Sequence, residues 1–393
     1  MRFLHSDGTA VHLAYCTNVH PAQDLPGVLD QLDRFALPVR SVLGWNRLSL
    51  GLWLAAPVAR ALREEPALVD RLRKELAARE LEVVTLNGFP YSGFHDASVK
   101  HGVYRPDWSE PARLDYTLDL ADLLAQLMPQ DAARGSVSTL PLGRPEGWAP
   151  RARDRALRQL DVLATRLAAV EADSGRVVRL GLEPEPGCVV DNTADLARHL
   201  TTLDPNRIGI CLDACHLAVS FEGPAAALRR IEQLGLSVVK LQASCAVEAA
   251  DPAAPAVRDA LAAFAEPRFL HQTRELGPDG VVARADDLPF ALGPGPGALP
   301  AAGPWRVHFH VPLHADPAPP LTATRTVLED TLLALLGGAT ARTDHVEVET
   351  YTWQVLPEDL RPVDDAALAA GIAAELRWAA ARLAALGLTA VDR

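Results

Sequence analysis

Residues Gly209–Val219 read GICLDACHLAV. Ile208, Ile210 and Leu212 make a short apolar run of the kind that a strand buried on both faces of a parallel sheet requires. The run ends in Asp213, and His216 follows three residues later. A carboxylate at the end of a buried strand is costly unless something pairs with it, and a divalent cation is one such partner. Taken alone, the segment fits equally an Asp that caps the next helix and a His packed against the sheet. The ends of the other strands decide between the two.

Further strands are expected at Val11–Val19, Val39–Leu43, Leu81–Leu86, Gly135–Leu142, Val177–Leu182, Leu236–Gln242 and His345–Thr350. Helical spacing of apolar residues separates them, as at Leu62, Leu68, Leu72 and Leu76, over Leu114–Leu127, and at Leu157, Leu160, Leu163 and Leu167. The apolar stretch from Leu48 to Leu62 falls in a helix-rich region that runs to Glu80. Strand-then-helix alternation repeated about eight times implies a parallel sheet with right-handed crossovers, which closes most naturally into a (β/α)8 TIM barrel of the α/β class. An open doubly wound sheet is the alternative, but no GxGxxG or Walker loop follows the early strands. The expectation is one TIM-barrel domain over residues 1–393, with an insertion between strands 7 and 8 at about residues 246–322. Inside it, Pro252–Phe264 reads as helix, Gly293–Pro304 as loop, and Arg306–Val311 as a strand-like run with His308 and His310 on one face.

Composition narrows the function class. With 49% hydrophobic and 22% charged residues among 393, the chain can bury a large core. A net charge of −12 argues against nucleic-acid or anionic-membrane partners, which need a basic footprint. Five cysteines, an odd number and mostly on or just after strands, fit a reduced, cytoplasmic protein rather than a disulfide framework. No signal-peptide pattern opens the chain, and the Leu48–Leu62 stretch is too short and interrupted to span a bilayer. A soluble protein acting on a small-molecule metabolite is therefore expected; homo-oligomers and pathway partner proteins remain compatible with the sequence.

Charged and polar residues recur where the strands end. Glu183 and Glu185 close the fifth, Asp213 and His216 the sixth, Lys240 and Gln242 the seventh, and Glu347 and Glu349 the eighth. Residues two apart on a strand share a face, and the C-terminal rim of a barrel is where its loops build active sites. So many acids in one place would repel one another unless a cation sat among them. The mixed oxygen and imidazole donors suit a divalent ion: Mn, Zn, Co, Fe or Mg. The loop after the third strand adds Asn87, Tyr91 and His95, which with Trp353 and Tyr351 are expected to line a substrate pocket. The aromatic members serve equally well as core.

These residues resemble the xylose-isomerase-like TIM barrels, which include sugar isomerases, ketose epimerases and endonuclease IV. The segment Asp213-Ala214-Cys215-His216 is similar to the DTCH segment of endonuclease IV. More narrowly, YCTNVHP (15–21), TLNGFPYSGFH (85–95), YRPDW (104–108), LEPEPGC (182–188), HFHVP (308–312) and ETYTWQVLP (349–357) resemble the EboE-type "metabolite traffic" proteins, tied to the processing or export of a secondary metabolite. The resemblance implies a metal shell of Glu183, Asp213 and Glu349, with His216 as ligand or close neighbour. Many relatives have a metal-binding His on the seventh strand where this chain has Gln242. His310, or alternatively His308, is expected to restore the imidazole.

Such a shell implies a metal-dependent isomerase or epimerase with Glu183 and Glu349 as the acid/base pair, Glu185 and Glu347 being the alternatives if the register differs. Lys240 is a further catalytic candidate as a substrate anchor or Schiff-base former, against a plain salt bridge to a rim glutamate. His308, Gln242, Glu185 and Glu347 complete the expected pocket. The competing functions are a non-catalytic metabolite-binding protein and an endonuclease IV-like phosphodiesterase.

Overall fold

A computed structural model describes residues 1–200 and 202–391, so positions 201, 392 and 393 of the expected single domain lie outside the described residues. Eight parallel strands form its centre: β1 (Ala10–Cys16), β2 (Leu48–Trp53), β3 (Leu81–Asn87), β4 (Arg134–Thr139), β5 (Val177–Leu182), β6 (Ile208–Asp213), β7 (Val238–Ala243) and β8 (His345–Val348). Each pairs with the next, and β8 pairs in parallel with both β7 and β1. The sheet is therefore a closed barrel, as expected, and closure leaves no edge exposed.

The second strand is not where the sequence reading put it. Val39–Leu43 lies in a helix, Leu37–Leu43, and β2 comes from the stretch read as helical. Pro38 stands in the first turn of that helix, and Gly44, at φ 68°, takes the left-handed conformation that ends it. That proline-in, glycine-out bracket is a helix signature. In LSLGLW, by contrast, Leu48, Leu50 and Leu52 alternate with Ser49 and Gly51, the period of a strand. Proline elsewhere serves the same end. The helices Pro66–Ala78, Pro111–Leu127, Pro150–Ser174 and Pro224–Gln233 each begin on one, where a missing N–H costs nothing.

Between β7 and β8 the chain builds a second sheet of five short antiparallel strands, among them Val247–Ala249, Thr273–Leu276, Val282–Ala285 and Trp305–Val307. A helix at Pro255–Ala262 falls within the expected helical span. The strand read over Arg306–Val311 stops at Val307; His308 and His310 lie beyond it on irregular chain, yet both side chains are buried. The helix Asp365–Ala385 closes the fold. No helix among the described residues is long and apolar enough to cross a membrane.

The barrel interior is unusually polar. Ser136 joins Thr85 Oγ1 at 2.8 Å and His345 Nδ1 at 2.6 Å, while Lys240 Nζ reaches Ser138 Oγ at 3.2 Å. Lys240 also forms an ion pair with Glu347, and both are completely buried. Gly51 makes room for that pair: a Cβ there would lie 1.2 Å from Glu347 Oε1.

Candidate active site

The acids at the ends of β5, β6 and β8 come together at the C-terminal mouth of the barrel. Ligand-type oxygens of Glu183, Asp213 and Glu349 all lie within 4.8 Å of one another, as do donor atoms of Asp213, His216 and His310. Asp213 has two tasks. Its Oδ1 accepts from the backbone N–H of His216 at 3.0 Å, capping the short helix Ala214–Val219, and from Ser244 Oγ at 2.7 Å. Its Oδ2 has no hydrogen-bond partner and lies 4.0 Å from His310 Nε2. One oxygen of Asp213 thus caps a helix, and the other faces the site.

Glu183 Oε2 and His310 Nε2 are likewise buried without a partner. The other ring nitrogen of His310 donates to the Glu349 carbonyl at 2.6 Å, which aims the free Nε2 toward Asp213. Glu349 Oε1 accepts from the side-chain amides of Asn18 at 2.7 Å and Asn87 at 2.8 Å. Three unpaired donor atoms from different elements, those of Asp213 and His310 on groups pinned from the far side, are what a cation site presents. The residues therefore fit a divalent ion of the oxygen- and nitrogen-preferring kind.

Electrostatics agree with this. Burial, followed by the Glu349 charge, pushes the Glu183 carboxyl well above the usual range. Burial together with Asp213 and Glu347 lifts Glu349 to about 8. Like charges held this close in a dry site must be neutralised by protons or by a cation.

A second cluster adjoins the first. Glu185 Oε2 lies 2.9 Å from His216 Nε2, which lies 3.2 Å from His308 Nε2. The pocket over both clusters is small, about 60 Å³, and opens between aromatic walls that include Phe89, Phe94, Tyr104, Phe269 and Tyr351. Of the residues singled out in the sequence, Asn87, Glu183, Glu185, His216, His308, His310 and Glu349 line it.

Other expected residues sit elsewhere. Lys240 and Glu347 are paired inside the barrel and do not line this pocket. Gln242 is completely buried beside Asp213 in the β6–β7 register, with neither end of its amide hydrogen-bonded. Tyr91 packs edge-on against Tyr116, with ring centroids 5.1 Å apart. His95 Nε2 contacts the Asn18 carbonyl at 2.7 Å, holding the loop that carries Asn18 rather than facing the cavity. Trp353 turns away and donates to Glu375 at 3.1 Å.

The sequence reading missed Asn18, Tyr104 and Gln272. Tyr104 donates to Glu185 Oε1 at 2.8 Å, and Gln272 supports both Tyr104 and His308 at 2.8 Å. Asn18 and Tyr104 do stand inside the motifs YCTNVHP and YRPDW quoted above.

Glu375, on the closing helix, ties the site's two late segments together. It accepts from Leu313 N at 3.1 Å, Thr350 Oγ1 at 2.6 Å and Trp353 Nε1. Burial pushes its carboxyl up to about 7 against the pull of these donors. The folded state then holds this proton to higher pH than the unfolded chain does, so the group's contribution to stability is lost as pH rises from its unfolded value to about 7. Glu375→Gln cannot ionise. Its stability relative to wild type is expected to improve by about 3 kcal/mol between about pH 5 and about pH 8. Urea unfolding at the two pH values checks this, and a pH-independent difference refutes it.

Comparison with known proteins places this geometry in a family. The model of the xylose isomerase-like TIM barrel family matches residues 48–263, more than half of the chain. Among solved structures, a xylose isomerase-like TIM barrel protein from Mycobacterium smegmatis in complex with magnesium is 14% identical, with a TM-score of 0.50 over 96% of this chain and 98% of that one. An L-ribulose 3-epimerase is 14% identical, with a TM-score of 0.49 over 96% of each chain. A D-psicose 3-epimerase in the presence of D-fructose is 12% identical, with a TM-score of 0.47 over 94% of this chain and 99% of that one. At such identities the likeness is one of fold. No curated protein sequence matches the chain. On the family match, with the closed eight-stranded barrel beneath it, this chain belongs to the xylose isomerase-like TIM barrel family.

Proposed function

We propose that the protein is a divalent-metal-dependent isomerase or epimerase acting on a small carbonyl- or polyol-type metabolite, within the secondary-metabolite pathways that the EboE-like motifs suggest. The observation that carries this reading is the pair Glu183 and Glu349, two buried carboxyls within 4.8 Å of Asp213 and of each other at the floor of a small pocket. Asp213, His310 and these two glutamates would hold the cation. When bound, it supplies Lewis-acid polarisation of a substrate carbonyl and the hydroxyl beside it.

The protein's own groups do the rest. One glutamate takes the proton from the carbon next to the carbonyl, leaving an enediolate, and the other returns a proton to the opposite face or to the neighbouring carbon. Asn18 and Asn87 fix one Glu349 oxygen by donating to it, which leaves the other free for proton transfer. Glu183 has a free oxygen of its own. Phe89, Phe94, Tyr104, Phe269 and Tyr351 wall the pocket in which the exchange would take place. The acidic surface and the small cavity favour a metabolite over a nucleic acid.

The test is proton exchange. Metal-loaded protein incubated in deuterium oxide with a panel of ketoses, ketose phosphates and inosose-type ketones should place deuterium on the carbon next to the carbonyl of at least one of them. Glu183→Gln and Glu349→Gln should each slow exchange by at least ~100-fold. A panel member that binds tightly yet shows no exchange in any metal form would instead mark a carrier that sequesters its ligand.

A further inference from the structure

Lys100 is the only lysine or arginine that lines the pocket among the described residues, and its ammonium is committed elsewhere, 2.6 Å from Asp287 Oδ2. Asp287 is fixed in its turn, its other oxygen accepting from the backbone N–H groups of His271 and Leu288 at 3.0 Å each. The amide protons of Asn87 go to Glu349 and Cys16, and the Tyr104 hydroxyl goes to Glu185. Against these stand the carboxyl groups of Glu183, Glu185 and Glu349 on the same pocket. A divalent cation among Glu183, Asp213 and Glu349 would meet three carboxyl groups, so it brings no surplus of positive charge. Phosphate and carboxylate sites are built the other way round, from uncommitted cationic donors.

The walls are as one-sided as the charges. Phe94 from the loop after β3, Phe269 from the insertion and Tyr351 from the loop after β8 meet ring to ring. Their centroids are 5.1 Å apart for Phe94 and Phe269, 5.4 Å for Phe94 and Tyr351, and 4.9 Å for Phe269 and Tyr351. The Tyr351 ring also lies 4.7 Å from that of His310, so the aromatic wall begins directly beside the cation-type donors. Phe89 and Leu270 extend the apolar lining. A chain of hydroxyls laid along such a wall would give up water and find few partners, whereas a ring gains contact with the aromatic faces and edges.

We infer that the substrate is uncharged and carries an apolar, ring-bearing flank next to the hydroxyketone at which the glutamates act. The head of that molecule rests on the isomerase reading; the flank rests on the walls and on the committed lysine alone. The inference sets the substrate apart from a sugar phosphate and from an open-chain polyol. It assigns Phe94 and Phe269 the choice of flank, and leaves Lys100 the task of tying the loop after β3 to the insertion.

The experiment compares three hydroxymethyl ketones that share one head and differ in the flank: phenacyl alcohol, dihydroxyacetone and dihydroxyacetone phosphate. Ligand-detected NMR titrates each against the full-length protein, with and without Mg²⁺. Phenacyl alcohol should bind at least ~10-fold more tightly than dihydroxyacetone, and the phosphate no more tightly than dihydroxyacetone. Phe94→Ala and Phe269→Ala should each erase most of the phenyl preference. Phe290→Ala, at an exposed ring that does not line this pocket, should leave it intact. Equal binding of the phenyl and hydroxymethyl flanks overturns the inference, as does a preference that survives both pocket variants. Tightest binding of the phosphate, lost in Lys100→Met, overturns it too. Should one pocket variant fail to fold, the other decides. Deuterium exchange on the same ligands keeps the two readings apart. Exchange into dihydroxyacetone without a phenyl preference sinks the apolar flank and leaves the isomerase standing; a phenyl preference without exchange into any ligand does the reverse.

Discussion

Lys240→Met should destabilise the protein by about 3–5 kcal/mol, with little change in cation binding. Lys240 and Glu347 are completely buried and ion-paired, and Ser138 Oγ is the lysine's other partner. Burial alone would lower the lysine's proton affinity; the Glu347 charge, the neighbouring Cys211 and Cys16 and the hydrogen bond to Glu347 together more than offset it and hold the ammonium above its usual range. Removing the lysine leaves a carboxylate that has no water to turn to and little room to move, because the open space at Gly51 is already taken up by Glu347. Breaking one side of a buried pair costs more than removing both sides, so Lys240→Met/Glu347→Gln should recover roughly half of the loss. Urea unfolding of the two single variants and the double variant measures this coupling. A variant that unfolds like wild type but loses deuterium exchange would return Lys240 to the catalytic role its strand-end position suggests.

That prediction also shows where a sequence reading of such a barrel holds and where it fails. The strand ends marked Glu183, Asp213 and Glu349 as candidates, but strand ends alone left Glu185 and Glu347 equally open, and only the family resemblance singled out the set of three. Lys240 and Glu347 follow the same pattern, yet face each other inside the barrel, because one step along a strand changes the depth and the face of a side chain. Trp353 and Tyr91 stood in the right motifs but found partners elsewhere, in Glu375 and Tyr116. Asn18, Tyr104 and Gln272 drew no notice because a neutral amide or phenol is unremarkable until a structure shows what it touches. β2 was lost for a different reason. LSLGLW alternates over only six residues and runs on through Leu54 and Ala55 into a helix, so the joint apolar stretch hid the change of period. The strands of the small sheet are two to four residues long, too short for any period to register.

Asp213→Asn should make the cation-free protein more stable and abolish its stabilisation by metal. The substitution keeps an oxygen to accept from His216 N and Ser244, so the helix cap survives. What it removes is the negative charge at the unpartnered Oδ2, and that charge is among the causes that raise both Glu183 and Glu349. Relief of that repulsion should be worth about 1–2 kcal/mol, one pKa unit being about 1.4. In wild type, a metal at one hundred times its dissociation constant should stabilise the fold by about 2.7 kcal/mol, seen as a rise in Tm. In Asp213→Asn that rise should vanish, since a neutral amide is a poor substitute for an anionic ligand and affinity falls by at least ~100-fold. The two effects have opposite signs, which separates a site built for a ligand from one built for stability: purely structural residues lose stability when altered, whereas acids crowded for a cation gain it. A variant that is less stable than wild type without metal and still responds to metal would show that Asp213 serves the fold alone, as a helix cap.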